Sequence, residues 1–190
     1  MATIDLIVLG MLKQKSLSAY DMQKLVEYRN ISKWVKISTP SIYKKVIQLE
    51  EKGFIKSRTE KEGNMPEKAV YSLTPQGEQE FEKMMFEISA KSVNIFLDFN
   101  AVIVNLDSLS PDKQKKCLAE IEKNVKQLKT YQEINLLEKE NRPDIPETGK
   151  AVLRQQLMLT QAIEDWIETI KHRKLMVLPG FDKCRCRIRP

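Results

Sequence analysis

The sequence TPSIYKKVIQLEEK, residues 39–52, decides the fold because it predicts a short helix with two contrasting faces. Ser38 or Thr39 can cap the first turn, and Pro40 suits the first helical position, where no backbone N–H is needed. Apolar side chains recur at helical spacing and predict one buried stripe: Ile42, Val46 and Leu49. Three polar side chains project from the opposite side: Ser41, Lys44 and Gln48.

The outward face of this predicted helix is small, polar and basic, with Tyr43 and Lys45 on its two flanks. A DNA major groove accepts one α-helix, and donors of this length reach base edges or phosphates. We therefore interpret residues 39–52 as a recognition helix. The alternative, from the helix alone, is a solvated helix that only packs on its neighbours.

The distribution of charge supports a polyanionic partner for the N-terminal part. The chain has 190 residues, 42% of them apolar, so that a sizeable core can form, and its net charge is +6. Residues 1–75 contain 13 Lys and Arg against 8 Asp and Glu, which leaves +5 in this part and +1 in the remainder. An excess of positive charge around a candidate recognition helix is typical of nucleic-acid binding.

Two more helices are predicted before the recognition helix. Residues 4–12 have one apolar face, and a second helix runs from about residue 18 to residue 28. Ser18 and Asp21 approximate a capping box, and Leu17 is placed as a hydrophobic staple. Trp34 is expected to fill the core beneath the following loop. Three short helices with tight connections predict a helix-turn-helix.

Two strand-like segments follow, FIKSRT at 54–59 and KAVYSL at 68–73, joined by a polar turn at Gly63-Asn64. Three helices and a hairpin, in this order, predict a winged helix. Basic side chains of the wing, Lys61 and Lys68, would contact the DNA backbone. Because acidic residues dilute the hairpin's charge, a solvated hairpin remains the alternative.

Three segments resemble the PadR family of bacterial transcriptional regulators: LSAYDMQKLVEY, WVKISTPSIYKKVIQLEEKGFI and KAVYSLTPQGEQEF. The family's pair that opens the second helix is Ala19-Tyr20 here, and its hydroxyl–apolar–Tyr run is residues 41–43. Its Leu-Glu…Gly motif is residues 49–53. The end of its wing is residues 68–74, where one Lys replaces a basic pair and Val70 replaces an aromatic residue.

The resemblance implies a mainly α fold, with a small β-hairpin wing in an N-terminal winged helix-turn-helix, followed by long C-terminal helices. We predict a DNA-binding domain at 1–75, a helical linker and dimerisation domain at 76–175, and a basic tail at 176–190. The candidate DNA-binding residues are Tyr20, Thr39, Ser41, Tyr43, Lys44, Gln48, Lys61, Asn64 and Lys68.

The C-terminal half is predicted to be helical. A helix begins at Pro75, an apolar segment covers 93–106, and a long helix begins at Pro111, with its apolar stripe continuing through Ile134 and Leu137. The run NRPDIP at 141–146 separates it from a last long helix. The resemblance implies that these helices serve dimerisation, whereas ordinary packing within one chain is the alternative. The candidate dimerisation residues are Leu118, Ile121, Val125, Leu128, Leu153, Leu157, Trp166, Ile167 and Ile170.

Soft and aromatic residues just past the winged helix suggest a pocket for a small aromatic or apolar effector near Met84, Phe86 and Phe96. Ordinary core packing is the alternative for the methionine. Cys184 and Cys186, two residues apart in the tail, are weak evidence for a metal, and no cofactor is predicted.

The sequence has no motif typical of an enzyme, no predicted signal peptide and no predicted membrane span, so we expect a cytoplasmic protein. The leading hypothesis is a sequence-specific DNA-binding transcriptional regulator. We expect it to be a ligand-responsive repressor that binds a pseudo-palindromic, double-stranded operator as a homodimer. The alternative is a winged-helix module that binds protein without specific DNA binding.

Overall fold

The computed structural model describes residues 3–35, 37, 40–61 and 67–172, and for residue 172 the backbone alone. The chain divides into two compact units, the first ending at Asn94 and the second beginning at Ile95. The sequence placed this boundary near residue 75. The difference arises because the helix after the wing packs on the first helix of the N-terminal unit.

The first unit contains the helices α1 (Thr3–Gln14), α2 (Ala19–Tyr28), α3 (Ser41–Glu51) and α4 (Pro75–Ser89). Its strands are β1 (Leu17–Ser18), β2 (Ile55–Glu60) and β3 (Lys68–Leu73), which form an antiparallel sheet in the order β1–β3–β2. The winged-helix prediction and the mainly α fold class are confirmed. Strand β1 was not predicted, because two residues are too short to show an alternating pattern.

In the first unit, the cap and the core residues that the sequence predicts are found in the structure. The Ser18 hydroxyl accepts a hydrogen bond from the Asp21 backbone N–H at 3.1 Å, and the Asp21 carboxylate accepts one from the Ser18 N–H at 3.3 Å. This is the predicted capping box at the start of α2. Leu17, the predicted staple, is buried, and Trp34 packs against the core as expected.

The start of helix α4 contacts the turn between α3 and β2 through the Thr74 side chain. The Thr74 hydroxyl lies 2.7 Å from the Gly53 carbonyl oxygen, and it accepts a hydrogen bond from the Gly77 N–H at 3.0 Å. Gly53 has a φ of 74°, which favours glycine. A Cβ on Gly77 would lie 1.9 Å from the Phe54 carbonyl oxygen, so only glycine allows this approach.

The second unit contains α5 (Asn100–Val104), α6 (Pro111–Glu140) and α7 (Glu147–His172). Ion pairs show that α6 and α7 are antiparallel, because partners early in α6 lie late in α7. Glu122 contacts Lys171 at 2.8 Å and Lys129 contacts Glu164 at 2.7 Å. The Arg154 guanidinium, early in α7, contacts Glu140 at the end of α6.

The apolar stripe predicted along α6 is correct in its first half and wrong in its second. Leu118, Ile121 and Val125 are buried, whereas Ile134 and Leu137 are 53% and 76% exposed. Asn135 and Lys139 are buried instead, and the Lys139 ammonium donates to the Asn135 amide oxygen at 2.6 Å. The physical reason is that a helix of 3.6 residues per turn keeps 118, 121, 125, 128, 132, 135 and 139 on one side, whereas 134 and 137 lie on the other.

Candidate nucleic-acid interface

Helix α3 has the two faces that its sequence predicts. Ile42, Val46 and Leu49 are each 1% exposed and belong to the main core. On the other side, Lys44 is exposed, while Ser41 and Gln48 are half-buried. The helix spans Ser41–Glu51 rather than the predicted 39–52, and Thr39 lies outside the described residues.

Two contacts anchor α3, one at its flank and one near its C-terminal end. The Lys45 ammonium lies 2.8 Å from an Asp5 carboxylate oxygen on α1, and their side chains are only 18% and 3% exposed. The Glu50 carboxylate accepts a hydrogen bond from the Ser57 N–H of β2 at 2.7 Å. The backbone turn at Gly53 then leads into the wing. The helix is therefore held against both α1 and the sheet, with its polar side facing outward.

Two residues of α3 have positions that were not predicted from the sequence. Lys45 was placed on a flank, but it points inward to Asp5, and no sequence signal links an acidic residue in α1 to a lysine forty positions later. Ile47 was not singled out, yet its side chain is 54% exposed on the outward side, close to Tyr43, which is 44% exposed. A helical projection alone would have found Ile47, because it is not part of the buried stripe.

The remaining candidate DNA-binding residues lie at the start of α2 and on the wing. Tyr20 is 57% exposed, and the Lys24 ammonium lies 5.4 Å from the centre of its ring. Lys61 and Lys68 are exposed, whereas Asn64 lies outside the described residues. The Ser18 hydrogen bonds lower the pKa of the Asp21 carboxyl, and nearby Lys68 lowers it further. Lys68 lies near the N-terminal end of α2, because β3 pairs Val70 with Ser18, the residue that caps α2.

A family model described as the transcriptional regulator PadR-like family matches residues 8–83. The matched segment contains α2, α3 and the wing, as well as most of α1. Over these residues, the chain is similar to the PadR-like family. The match therefore falls on the winged helix and on the first residues of α4.

Solved structures show the same fold over most of the chain. PadR of Bacillus subtilis in complex with operator DNA is 24% identical, with a TM-score of 0.73 over 88% of this chain and 96% of that one. The complex of Bacillus subtilis PadR with p-coumaric acid is 22% identical, with a TM-score of 0.74 over 88% and 95%. The virulence activator AphA of Vibrio cholerae is 19% identical, with a TM-score of 0.69 over 88% and 95%. A comparison with curated protein sequences finds no match.

The candidate dimerisation residues fall into three groups by their exposure. Five are buried by the same chain: Leu118, Ile121, Val125, Leu153 and Ile167. Leu157 and Ile170 are half-buried, while Leu128 and Trp166 are 47% and 37% exposed. The Trp166 ring stacks on Phe99 with ring centres 6.0 Å apart. The exposed members are the ones that a second copy could reach.

The candidate effector residues also differ in the exposure of their side chains. Met84 is 1% exposed and belongs to the core of the first unit, whereas Phe86 and Phe96 are 76% and 86% exposed. Cys184 and Cys186 lie outside the described residues. Among the residues that the structure describes, no helix has the length and apolar character needed to cross a membrane.

Proposed function

We propose that this protein is a repressor of the PadR-like family that binds a two-fold, double-stranded DNA operator as a homodimer. The observation that carries the proposal is the outward side of α3, where Lys44 and Gln48 lie opposite a fully buried stripe. Donors of this kind reach base edges in the major groove. Repression itself rests on the resemblance to the family, and a cytoplasmic location follows from the same role.

Dimerisation is proposed because two copies would place two recognition helices on one operator. A two-fold reader contacts half-sites about one helical turn apart, on the order of 34–36 Å. Support comes from apolar side chains that α6 and α7 leave exposed, among them Leu128, Leu137 and Met158. Covering such side chains on both copies stabilises a symmetric pair.

We also propose that a small aromatic or apolar effector changes the affinity for the operator. The support is the pair of exposed phenylalanines, Phe86 and Phe96, together with the p-coumaric acid complex of Bacillus subtilis PadR. No catalytic role is proposed.

The decisive experiment is selection of bound fragments from random DNA, followed by binding measurements with two variants. Lys68→Ala should weaken binding to all sequences alike and lower the salt slope by about 0.9, because one phosphate contact is lost. Gln48→Ala should instead erode the preference for the selected sequence by roughly 1–3 kcal/mol, if it makes a bidentate base contact. The same assay with p-coumaric acid as the first probe tests for an effector.

A winged-helix protein-interaction module would give a different pattern. The wild-type chain would then enrich no sequence, and both variants would respond equally. If a screen of aromatic acids changes neither operator affinity nor thermal stability, the protein is a regulator without an effector.

A further inference from the structure

Ile47 occupies an unusual position in α3. Its side chain is 54% exposed, although Val46 beside it and Leu49 two residues later are 1% exposed. Lys44 lies one turn before it and Gln48 follows it, so Ile47 lies among the polar residues of the outward side. Single exposed apolar residues are common on protein surfaces. The informative feature is that this one lies on the side of the helix that would face DNA.

The major groove offers little for a branched aliphatic side chain to contact. Guanine presents two acceptors there, cytosine a donor, adenine an acceptor and a donor, and only thymine adds a methyl group, at C5. An isoleucine against a polar base edge would remove water without replacing the lost hydrogen bond, which costs free energy. Against the thymine methyl, the same side chain buries apolar surface on both partners.

We propose that Ile47 is a specificity-determining residue that packs against the 5-methyl group of a thymine in each half-site. This inference rests on the proposed DNA binding by α3. The side-chain amide of Gln48, next to Ile47, is of the kind that makes two hydrogen bonds with adenine, at N6 and N7. The selected half-site should therefore contain a thymine in the part that α3 covers.

The test removes the methyl group from the DNA and the side chain from the protein, separately and together. Deoxyuridine replaces the half-site thymines one at a time, which deletes only the methyl and leaves the base pairing intact. At the thymine that Ile47 contacts, this replacement should lower the affinity of the wild type for the operator about fourfold, as expected for one buried methyl group. For Ile47→Ala, the same DNA change should alter affinity by less than about 1.5-fold, since the partner of the methyl is gone.

Gln48→Ala is the matched control, because it alters the neighbouring residue and should retain the fourfold methyl effect. Thermal unfolding of Ile47→Ala should match the wild type, since the side chain is largely outside the core. If Ile47→Ala still loses fourfold affinity when the thymine methyl is removed, Ile47 does not contact that methyl group. A selected half-site without thymine would also refute the role of Ile47. Neither result would refute the proposed DNA binding. If selection enriches no sequence at all, the proposed function fails together with this inference.

Discussion

The two units differ in where their apolar side chains lie. In the described part of the first unit, sixteen buried hydrophobic residues from all four helices and the sheet form one core cluster. The corresponding cluster in the second unit has three buried members, Ile121, Val125 and Ile167. Leu137 and Met158 in the same helix pair are 76% and 72% exposed. The first unit is therefore stabilised by its own core, whereas the second leaves apolar surface uncovered.

This difference shows how the two units obtain their stability. The helices and strands of the winged helix pack around one hydrophobic core. Each side chain buried there stabilises the unit because its apolar surface is removed from water. The helix pair of the second unit has a smaller core around Ile121, Val125 and Ile167, with ion pairs such as Lys129–Glu164 at its edges. Exposed ion pairs contribute little individually, which leaves room for stabilisation by a second copy.

The largest expected effect is the loss of a core side chain in the first unit. Leu49→Ala should lower the free energy of unfolding by about 2–5 kcal/mol, because it leaves a cavity around a residue that is 1% exposed. Ile47→Ala, two residues earlier, is the matched control and should change it by less than about 0.5 kcal/mol. Urea unfolding measures both. Equal effects would contradict the assignment of the two faces of α3.

An intermediate effect is expected from a charge at Leu128, an exposed apolar position of α6. Light scattering of the wild type at micromolar concentration should give about twice the chain mass of 22.1 kDa. Leu128→Glu should reduce the mass to that of one chain, because a dimer would then bury a carboxylate at a site that is 47% exposed in the monomer.

Gln127→Glu adds the same charge at the neighbouring exposed position and should leave the dimer intact. A wild type that is monomeric at this concentration would refute the proposed dimer. If both variants are dimers, the dimer interface does not include Leu128.

The smallest expected effect concerns the ion pairs of the second unit. Hydrogen bonds from Lys126 and Lys171 lower the pKa of Glu122 to about 2, from an ordinary value of 4.5. Because the pKa is lower in the folded state, this carboxylate stabilises the fold above about pH 4.5 and loses that contribution as the pH falls toward 2. The difference in Tm between wild type and Glu122→Gln should therefore shrink over this range.

Glu120→Gln removes a carboxylate whose side chain is 68% exposed on the same helix, and its Tm should follow that of the wild type. If the difference between wild type and Glu122→Gln is constant from pH 6 to pH 3, the ion pairs with Lys126 and Lys171 do not form in solution.

Much of the first unit could be predicted because its signals are local. The cap at Ser18, the stripe of Ile42, Val46 and Leu49, and the two longer strands each depend on neighbours within a few residues. The candidate DNA-binding residues on α3 follow from the same periodicity. The exposure of Ile47 also follows from that periodicity, because this residue is not part of the buried stripe.

The sequence by itself determined the helices, the wing and the polar outward side of α3, since helical spacing and turn residues act over short distances along the chain. Only the tertiary structure decided that Lys45 turns inward to Asp5, that β1 pairs with β3, and that Asn135 and Lys139 replace Ile134 and Leu137 on the buried side of α6. Each of these features depends on which segments meet in space, and the pattern of one segment carries no information about its distant partner.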